Sequence, residues 1–200
     1  AELAKLKKLD TRKLPLVKGR PRLGPCVAMP SKFVAIGLNF SDHAKETGSP
    51  IPEHPVVFFK STTCIVGPND NVMVPRDSTQ LDWEVELVVV IGRSVRRVGA
   101  DEAAAAIAGF TVGNDVSARD WQIRKPGGQW LLGKSFDSFA PFGPQLVTAD
   151  EVPEPNNLKI QLRLNGQVMQ DSSTAQFLFP VEELVAYVSD VCTLASGDLI

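Results

Sequence analysis

Glu84 and Glu86 stand two residues apart at the head of the apolar run Leu87-Val88-Val89-Val90-Ile91. A run so rich in Val and Ile, closed by Gly92, predicts a β-strand with little water on either face. Side chains at i and i+2 leave a strand on the same side. The spacing therefore predicts two carboxylates projecting together, with Asp82 on that face two residues earlier. Like charges side by side at a largely buried strand are costly unless something cationic neutralises them. A divalent metal is the usual solution, and oxygen-only donors favour Mg²⁺, Mn²⁺ or Ca²⁺ over zinc. The competing reading is a strand whose first residues are solvated at a sheet edge.

Asp115, in Gly113-Asn114-Asp115-Val116-Ser117-Ala118-Arg119-Asp120, follows directly on a predicted strand, where ligands are commonly presented. A third carboxylate there could complete a facial set, although an Asx turn or helix cap is the commoner use of such a residue. His43 and Glu46 are three apart and share a face if their segment is helical. A carboxylate beside an imidazole fixes its tautomer and raises its basicity, the arrangement of a water-activating base. An ordinary surface pair would have the same spacing. The other histidine, His54, lies in a Pro-flanked loop, so no zinc motif forms.

Gly128-Gln129-Trp130-Leu131-Leu132-Gly133-Lys134-Ser135 matches the spacing of a phosphate-binding P-loop. That mechanism needs a strand before the glycines and a helix after the lysine, and neither is predicted here. Lys134 remains a candidate cation near the acidic residues, or a structural lysine.

The elements that must hold these groups follow from periodicity and turn chemistry. Residues 2–9 predict two helical turns, followed by a connector with Pro15, Pro21, Pro25 and Pro30. The main domain is expected over residues 33–200, with residues 1–32 as a helix and linker. Strands are predicted at 33–37, 56–59, 72–74, 84–91 and 110–112. A short helix capped by Ser41 or Asp42 should run to Glu46. A second, capped by Asp101, should end near Ala108, and residues 116–124 should form a helical turn or two. Asn165-Gly166 between 158–164 and 167–170 predicts a type I′ hairpin. Pro180 should begin a final helix with Val181, Leu184, Val185 and Val188 on one stripe. Strands without regular crossover helices predict a mixed α+β sheet fold.

Bulk properties bound the remaining classes. The chain of 200 residues has a formal charge of −2, which gives no electrostatic case for nucleic acid or an anionic membrane. The basic cluster Lys5, Lys7, Lys8, Arg12 and Lys13 is interleaved with leucines and reads as a solvated helix face. Cys26, Cys64 and Cys192 have no metal-ligand spacing and suit buried thiols in a reducing compartment. No apolar stretch is long enough to span a bilayer. A cytoplasmic protein is expected.

Taken in order, several blocks resemble the fumarylacetoacetate hydrolase family over residues 33–200. They are Ile36-Gly37-Leu38-Asn39-Phe40-Ser41-Asp42-His43, Pro55-Val56-Val57-Phe58-Phe59-Lys60, Asp82-Trp83-Glu84-Val85-Glu86-Leu87 and Asn114-Asp115-Val116-Ser117-Ala118-Arg119. They continue through Gly133-Lys134-Ser135-Phe136-Asp137 and Pro141-Phe142-Gly143-Pro144 to Asn165-Gly166. The resemblance implies a mixed β-roll, a homodimer and one Mg²⁺ or Mn²⁺ per site. It puts the metal carboxylates at Glu84, Glu86 and Asp115, the water-activating pair at His43 and Glu46, and the oxyanion-stabilising lysine at Lys134. Arg119 and Gln122 match positions that hold substrate oxygens. Trp83, residues 65–70 and Gly127-Gly128-Gln129-Trp130 resemble the bacterial branch acting on diketo sugar acids.

The reaction this implies is metal-dependent hydrolysis of a carbon–carbon bond in a 2,4-diketo acid. Oxaloacetate decarboxylation, hydroxymuconate isomerisation and ureidoglycolate cleavage share the fold and remain alternatives. A non-catalytic binding or dimerisation module is the rival of a different class, and His43, Glu46 and Lys134 argue against it. Family members carry an earlier N-terminal stretch and continue past Gly197-Asp198-Leu199-Ile200 into a substrate-contacting Thr-Gly-Thr-Pro segment. The expectation is that the catalytic domain is incomplete at its C-terminus.

Overall fold

Valine or isoleucine at every position from Val88 to Ile91 leaves no polar face for water, and the strand they form is buried on both sides. In the computed structural model, which describes residues 5, 6, 8–125 and 127–200, this strand lies between two apolar clusters. The elements, in chain order, begin with β1 (Val34–Gly37), α1 (Ser41–Thr47), β2 (Val56–Phe59), β3 (Ile65–Val66), β4 (Leu81–Asp82) and β5 (Val85–Ile91). They continue with α2 (Ala100–Ala104), β6 (Ile107–Asn114), β7 (Ser117–Ala118), α3 (Trp130–Lys134), β8 (Ala140–Pro141) and β9 (Val147–Thr148). The hairpin β10 (Lys159–Leu164) and β11 (Gln167–Ser173) precedes α4 (Val181–Val191). The fold is a mixture of short helices and several small sheets. The largest sheet among the described residues has the order β5-β6-β9.

Val89 and Ile91 face one cluster with Val34 of β1 and Val181, Val185 and Val188 of α4, whose stripe also buries Leu184. Val88 and Val90 face the other, with Val116, Phe139 and Phe142. Fully burying each such side chain contributes about 1.5–3 kcal/mol, so the register of β5 is strongly specified. The last residues add to it: Ile200 exchanges two backbone hydrogen bonds with Val89, and the Val34 N–H donates to Leu199.

The hairpin turn forms as expected, with Asn165 at φ 52° and Gly166 at φ 84°. Four local expectations need correction. The helix of α1 starts at Ser41 with Phe40 at its cap position and no side-chain cap, because the Ser41 hydroxyl donates to Gln176 and Asp42 accepts from Ser172. The alanine-rich helix stops at Ala104, since Ile107 is already paired with Ile91; burial against β5 overrides alanine's helix propensity. Residues 72–74 form no strand. Residues 116–124 divide into β7 and a π-helical turn at Asp120–Arg124. Of the predicted helix at 2–9, residues 2–4 and 7 lie outside the described residues. Among the described residues no helix is long and apolar enough to cross a membrane.

Candidate active site

The acidic residues are brought together by an apolar register. β5 and β6 pair antiparallel with Glu86 opposite Gly113 and Val85 opposite Asn114. That pairing sets Asp115, one residue beyond β6, against Glu84, one residue before β5. The Asp115 N–H donates to the Glu84 carbonyl at 2.8 Å, and the Glu84 N–H donates to Asn114 Oδ1 at 3.0 Å. A slip of one residue would turn every side chain of β5 to the other face. The valine core that forbids the slip thereby also aligns the carboxylates.

Two buried lysines answer the charge. Lys134, only 2% exposed at the end of α3, donates to Glu84 Oε2 at 2.5 Å and to Asp115 Oδ2 at 2.7 Å. Lys60, at the end of the apolar β2 run, donates to Asp115 Oδ1 at 2.5 Å and also to the Lys134 carbonyl. Burial alone would raise the pKa of Asp115, but Lys60 and Lys134 outweigh it and hold the carboxyl below its ordinary value. Burial alone would lower Lys134, but Asp115 and Glu84 keep it raised. Glu86 goes the other way. Its desolvation, reinforced by the like charges of Glu84 and Asp115, pushes it well above the ordinary carboxylate value.

Arg119 is locked among these groups. It donates through Nε to Asp82 Oδ2 at 2.9 Å and through Nη1 to Gln122 Oε1 at 2.9 Å, and its Nη2 lies 2.7 Å from Glu84 Oε1. Asp82, which lines the same cavity as Glu84 and Glu86, is thereby engaged by the guanidinium. Gln122 is held by close packing too: a Cβ on Gly133 of α3 would fall 2.5 Å from the Gln122 nitrogen.

Of the eight residues singled out from the sequence, seven line one cavity of about 870 Å³: His43, Glu46, Glu84, Glu86, Arg119, Gln122 and Lys134. Asp115 instead borders a smaller cavity of about 70 Å³, with Lys60, and Glu86 lines both. His43 and Glu46 sit one above the other on α1, with Nδ1 3.5 Å from Glu46 Oε2. The glutamate is 80% exposed and the imidazole 45%, so this pair meets solvent where the carboxylate cluster does not. Trp130 closes the wall between them by packing on β1 and β2; its ring makes an edge contact with Phe58, and a Cβ on Gly37 would strike it at 2.2 Å. The P-loop reading fails here, because the helix ends at Lys134 where a phosphate-binding loop needs it to begin, and the lysine is spent on carboxylates.

Among the described residues, no three His, Cys, Asp or Glu side chains close around one point as a ready metal cage. Glu84 and Asp115 converge instead on a shared cationic point, the Lys134 ammonium. All the donors gathered are carboxylate oxygens, and Lys60, Lys134 and Arg119 already engage both oxygens of Glu84 and of Asp115, leaving Glu86 as the carboxyl without an ion pair among the described residues. Carboxylate oxygens are the donors a hard divalent cation prefers, but one held by Glu84, Glu86 and Asp115 would have to displace these contacts. The residue that sequence reasoning passed over is Lys60. The signal was available: a lysine closing the apolar run Val56-Val57-Phe58-Phe59 must either reach water or find a buried partner.

Residues 32–200 match the family model described as the fumarylacetoacetate (FAA) hydrolase C-terminal region. A protein from Burkholderia multivorans, provisionally named a hydrolase, is 50% identical over all 200 residues, which cover 71% of its length. The crystal structure of 5-carboxymethyl-2-hydroxymuconate delta-isomerase from Mycobacterium smegmatis superimposes with a TM-score of 0.80 at 41% identity, covering 94% of this chain and 74% of that one. That of 2-hydroxyhepta-2,4-diene-1,7-dioate isomerase from Mycobacterium marinum gives 0.79 at 38% identity, covering 93% and 70%. With the match spanning nearly the whole chain and the acidic cluster, His43–Glu46 pair and Lys134 lining or bordering its cavities, the chain belongs to the fumarylacetoacetate hydrolase family.

Proposed function

We propose that this chain is an isomerase of an unsaturated 2-oxo dicarboxylic acid in its 2-hydroxydiene form, moving a proton without breaking the carbon skeleton. The observation that carries this reading is a buried, oxygen-rich cluster, in which Glu86 has no ion pair among the described residues, beside a cavity that also receives a solvent-facing histidine. The likeness to two structures titled as isomerases of such acids supports it. Mg²⁺ or Mn²⁺ held by Glu84, Glu86 and Asp115 would supply the positive charge that stabilises an enolate.

The side chains supply the rest. Lys134 spends two of its three N–H groups on Glu84 and Asp115, so the third can donate to a substrate oxygen that gains charge. With Glu46 beside Nδ1, the Nε2 atom of His43 is the nitrogen free to take and return a proton. Arg119 keeps Glu84 and Gln122 in position along the same wall. Trp130 and Phe58 offer apolar surface to the unsaturated chain.

Hydrolysis of a carbon–carbon bond in a 2,4-diketo acid is the second reading, and the exposure of the His43–Glu46 pair favours it, since a base open to solvent can activate water. Incubation with Mn²⁺ and either a 2-hydroxy-2,4-dienedioate or a 2,4-diketo acid, followed by NMR, separates the two. Isomerisation preserves the carbon count of the substrate; two shorter acids would replace the first reading with the second. Turnover of neither class would remove both. The family resemblance extends the proposal to a cytoplasmic homodimer on a mixed β-roll, and light scattering of the purified chain tests the dimer.

A further inference from the structure

Gln170 of β11 lines the larger cavity beside Ile160 and Met169 of the same hairpin. Its Oε1 accepts from the N–H of Val85, the residue between Glu84 and Glu86, at 2.8 Å. Only the oxygen of a carboxamide can meet an N–H, so this bond fixes which way the group is turned. The Nε2 arm carries two N–H donors and has no partner among the described residues. Nor is it sealed in: the enclosed side-chain atom left unpaired among the described residues is Thr111 Oγ1. A half-buried amide is thus anchored by its oxygen with its donors open to the cavity.

The cations of that cavity are already committed. Arg119 is held by Asp82, Glu84 and Gln122, and Lys134 gives two N–H groups to Glu84 and Asp115. Asp42, Glu46, Asp82, Glu84, Glu86 and Asp171 line the same space, so an incoming acid meets more carboxylates than free positive charge. A neutral donor already turned inward is what such an acid can engage. We infer that Gln170 is a specificity-determining residue whose Nε2 donates to a carboxylate oxygen of the substrate. The inference rests on the 2-oxo dicarboxylic acid reading proposed above. Because the Val85 bond holds the amide in place beforehand, little side-chain freedom is lost when an acid docks. The same bond ties recognition to the strand that carries Glu84 and Glu86.

Calorimetric titration of the wild type, Gln170→Met and Gln170→Glu with 2-oxoadipate, alongside thermal melts, reads this directly. The methionine removes both arms of the amide and adds no charge. The glutamate still accepts from the Val85 N–H and loses only the donor arm. A hydrogen bond to a charged group typically contributes about 10–100-fold in affinity, and both variants are expected to lose at least that much. A loss in Gln170→Met alone would mean that only the Val85 contact matters, and a loss in Gln170→Glu alone would mean only repulsion by the added charge. Either result, or unchanged affinity in both, would overturn the inference. If either variant does not fold, crystals of the wild-type chain grown with 2-oxoadipate decide the matter. A carboxylate oxygen within hydrogen-bond reach of Gln170 Nε2 upholds the inference; an acid seated elsewhere refutes it. A wild-type chain that does not bind 2-oxoadipate refutes the dicarboxylic acid reading itself and this inference with it.

Discussion

Two buried clusters in this molecule join carboxylates to lysine, and they are balanced differently. At Asp198, Ser31 Oγ and the Lys32 N–H meet Oδ1 at 2.6 and 2.8 Å, while the Ala195 N–H and Lys32 Nζ meet Oδ2 at 2.7 and 2.6 Å. Four donors occupy the two oxygens, and one cation answers one anion. Around Lys134, Glu84 and Asp115 pair with Lys134, Lys60 and Arg119, while Glu86 stands beside them with no ion pair among the described residues. The pKa directions follow. Burial acts to raise Asp198, but Lys32, Ser31 and the backbone donors outweigh it and hold it low, whereas Glu86 is pushed up by burial and by its anionic neighbours. A buried charge whose every lone pair is answered ties the chain together, here the Ser31–Lys32 segment to the turn before Leu199. A buried carboxyl such as Glu86, raised and without an ion pair among the described residues, is poised to take up a proton or a cation.

The largest effect that separates chemistry from architecture is expected outside both clusters. His43→Ala should lower turnover about 10²–10⁴-fold, the scale for losing a general base. Its imidazole is 45% exposed, so the melting temperature and Mn²⁺ affinity should barely change. Loss of Mn²⁺ binding in that variant would make the histidine a ligand instead.

Lys134→Met should lower turnover about 10²–10³-fold, as for loss of a donor to a developing oxyanion. It should also destabilise the metal-free protein by about 3–5 kcal/mol, because Glu84 and Asp115 then face each other without their shared cation. Wild-type stability by chemical denaturation would show that the cluster is less dependent on this lysine than its geometry implies.

The smallest effects test the balance itself, through a pair of amide substitutions. Asp198→Asn should cost about 1–3 kcal/mol of stability at neutral pH and leave turnover per folded molecule unchanged. A depressed folded pKa contributes stability above the ordinary carboxylate range that is lost as pH falls through the folded value. The wild type should therefore converge on the variant in acid. Glu86→Gln should do the reverse. A raised folded pKa means the ionised form is disfavoured in the fold, a deficit absent in acid and complete only once pH exceeds the folded value. In EDTA at a pH above that value, the variant should gain stability on the order of 1 kcal/mol over the wild type. Added Mn²⁺ should stabilise the wild type more and reverse the order. Melting curves of both variants across pH, with and without Mn²⁺, check each sign.

Much of the fold was legible because it is written in local periods. The unbroken run at 87–91 required a strand buried on both faces, Asn165-Gly166 required a turn with positive φ at both positions, and the 181–188 stripe marked the buried face of α4. The chemical types at the site were legible too, since a glutamate pair, a histidine three residues before a glutamate, and a lysine after glycine stand out by composition and spacing. Where local preference and distant pairing disagreed, the sequence misled. Alanines at 103–106 favour a helix, yet Ala106 and Ile107 are drawn onto β5.

By itself the sequence determined which residues could do chemistry and which runs had to be buried. Only the tertiary structure decided how the charges were shared: Lys60 reaches Asp115 across 55 residues, and Lys134 reaches Glu84 across 50 and Asp115 across 19. It also separated Asp115, behind Lys134 beside the smaller cavity, from the seven residues that line the larger one. The reason is physical. Periodicity sets the face a side chain occupies within its own element. Which cation ends beside which carboxylate depends on how β2, α3 and the β5–β6 pair pack together, and no local spacing encodes that.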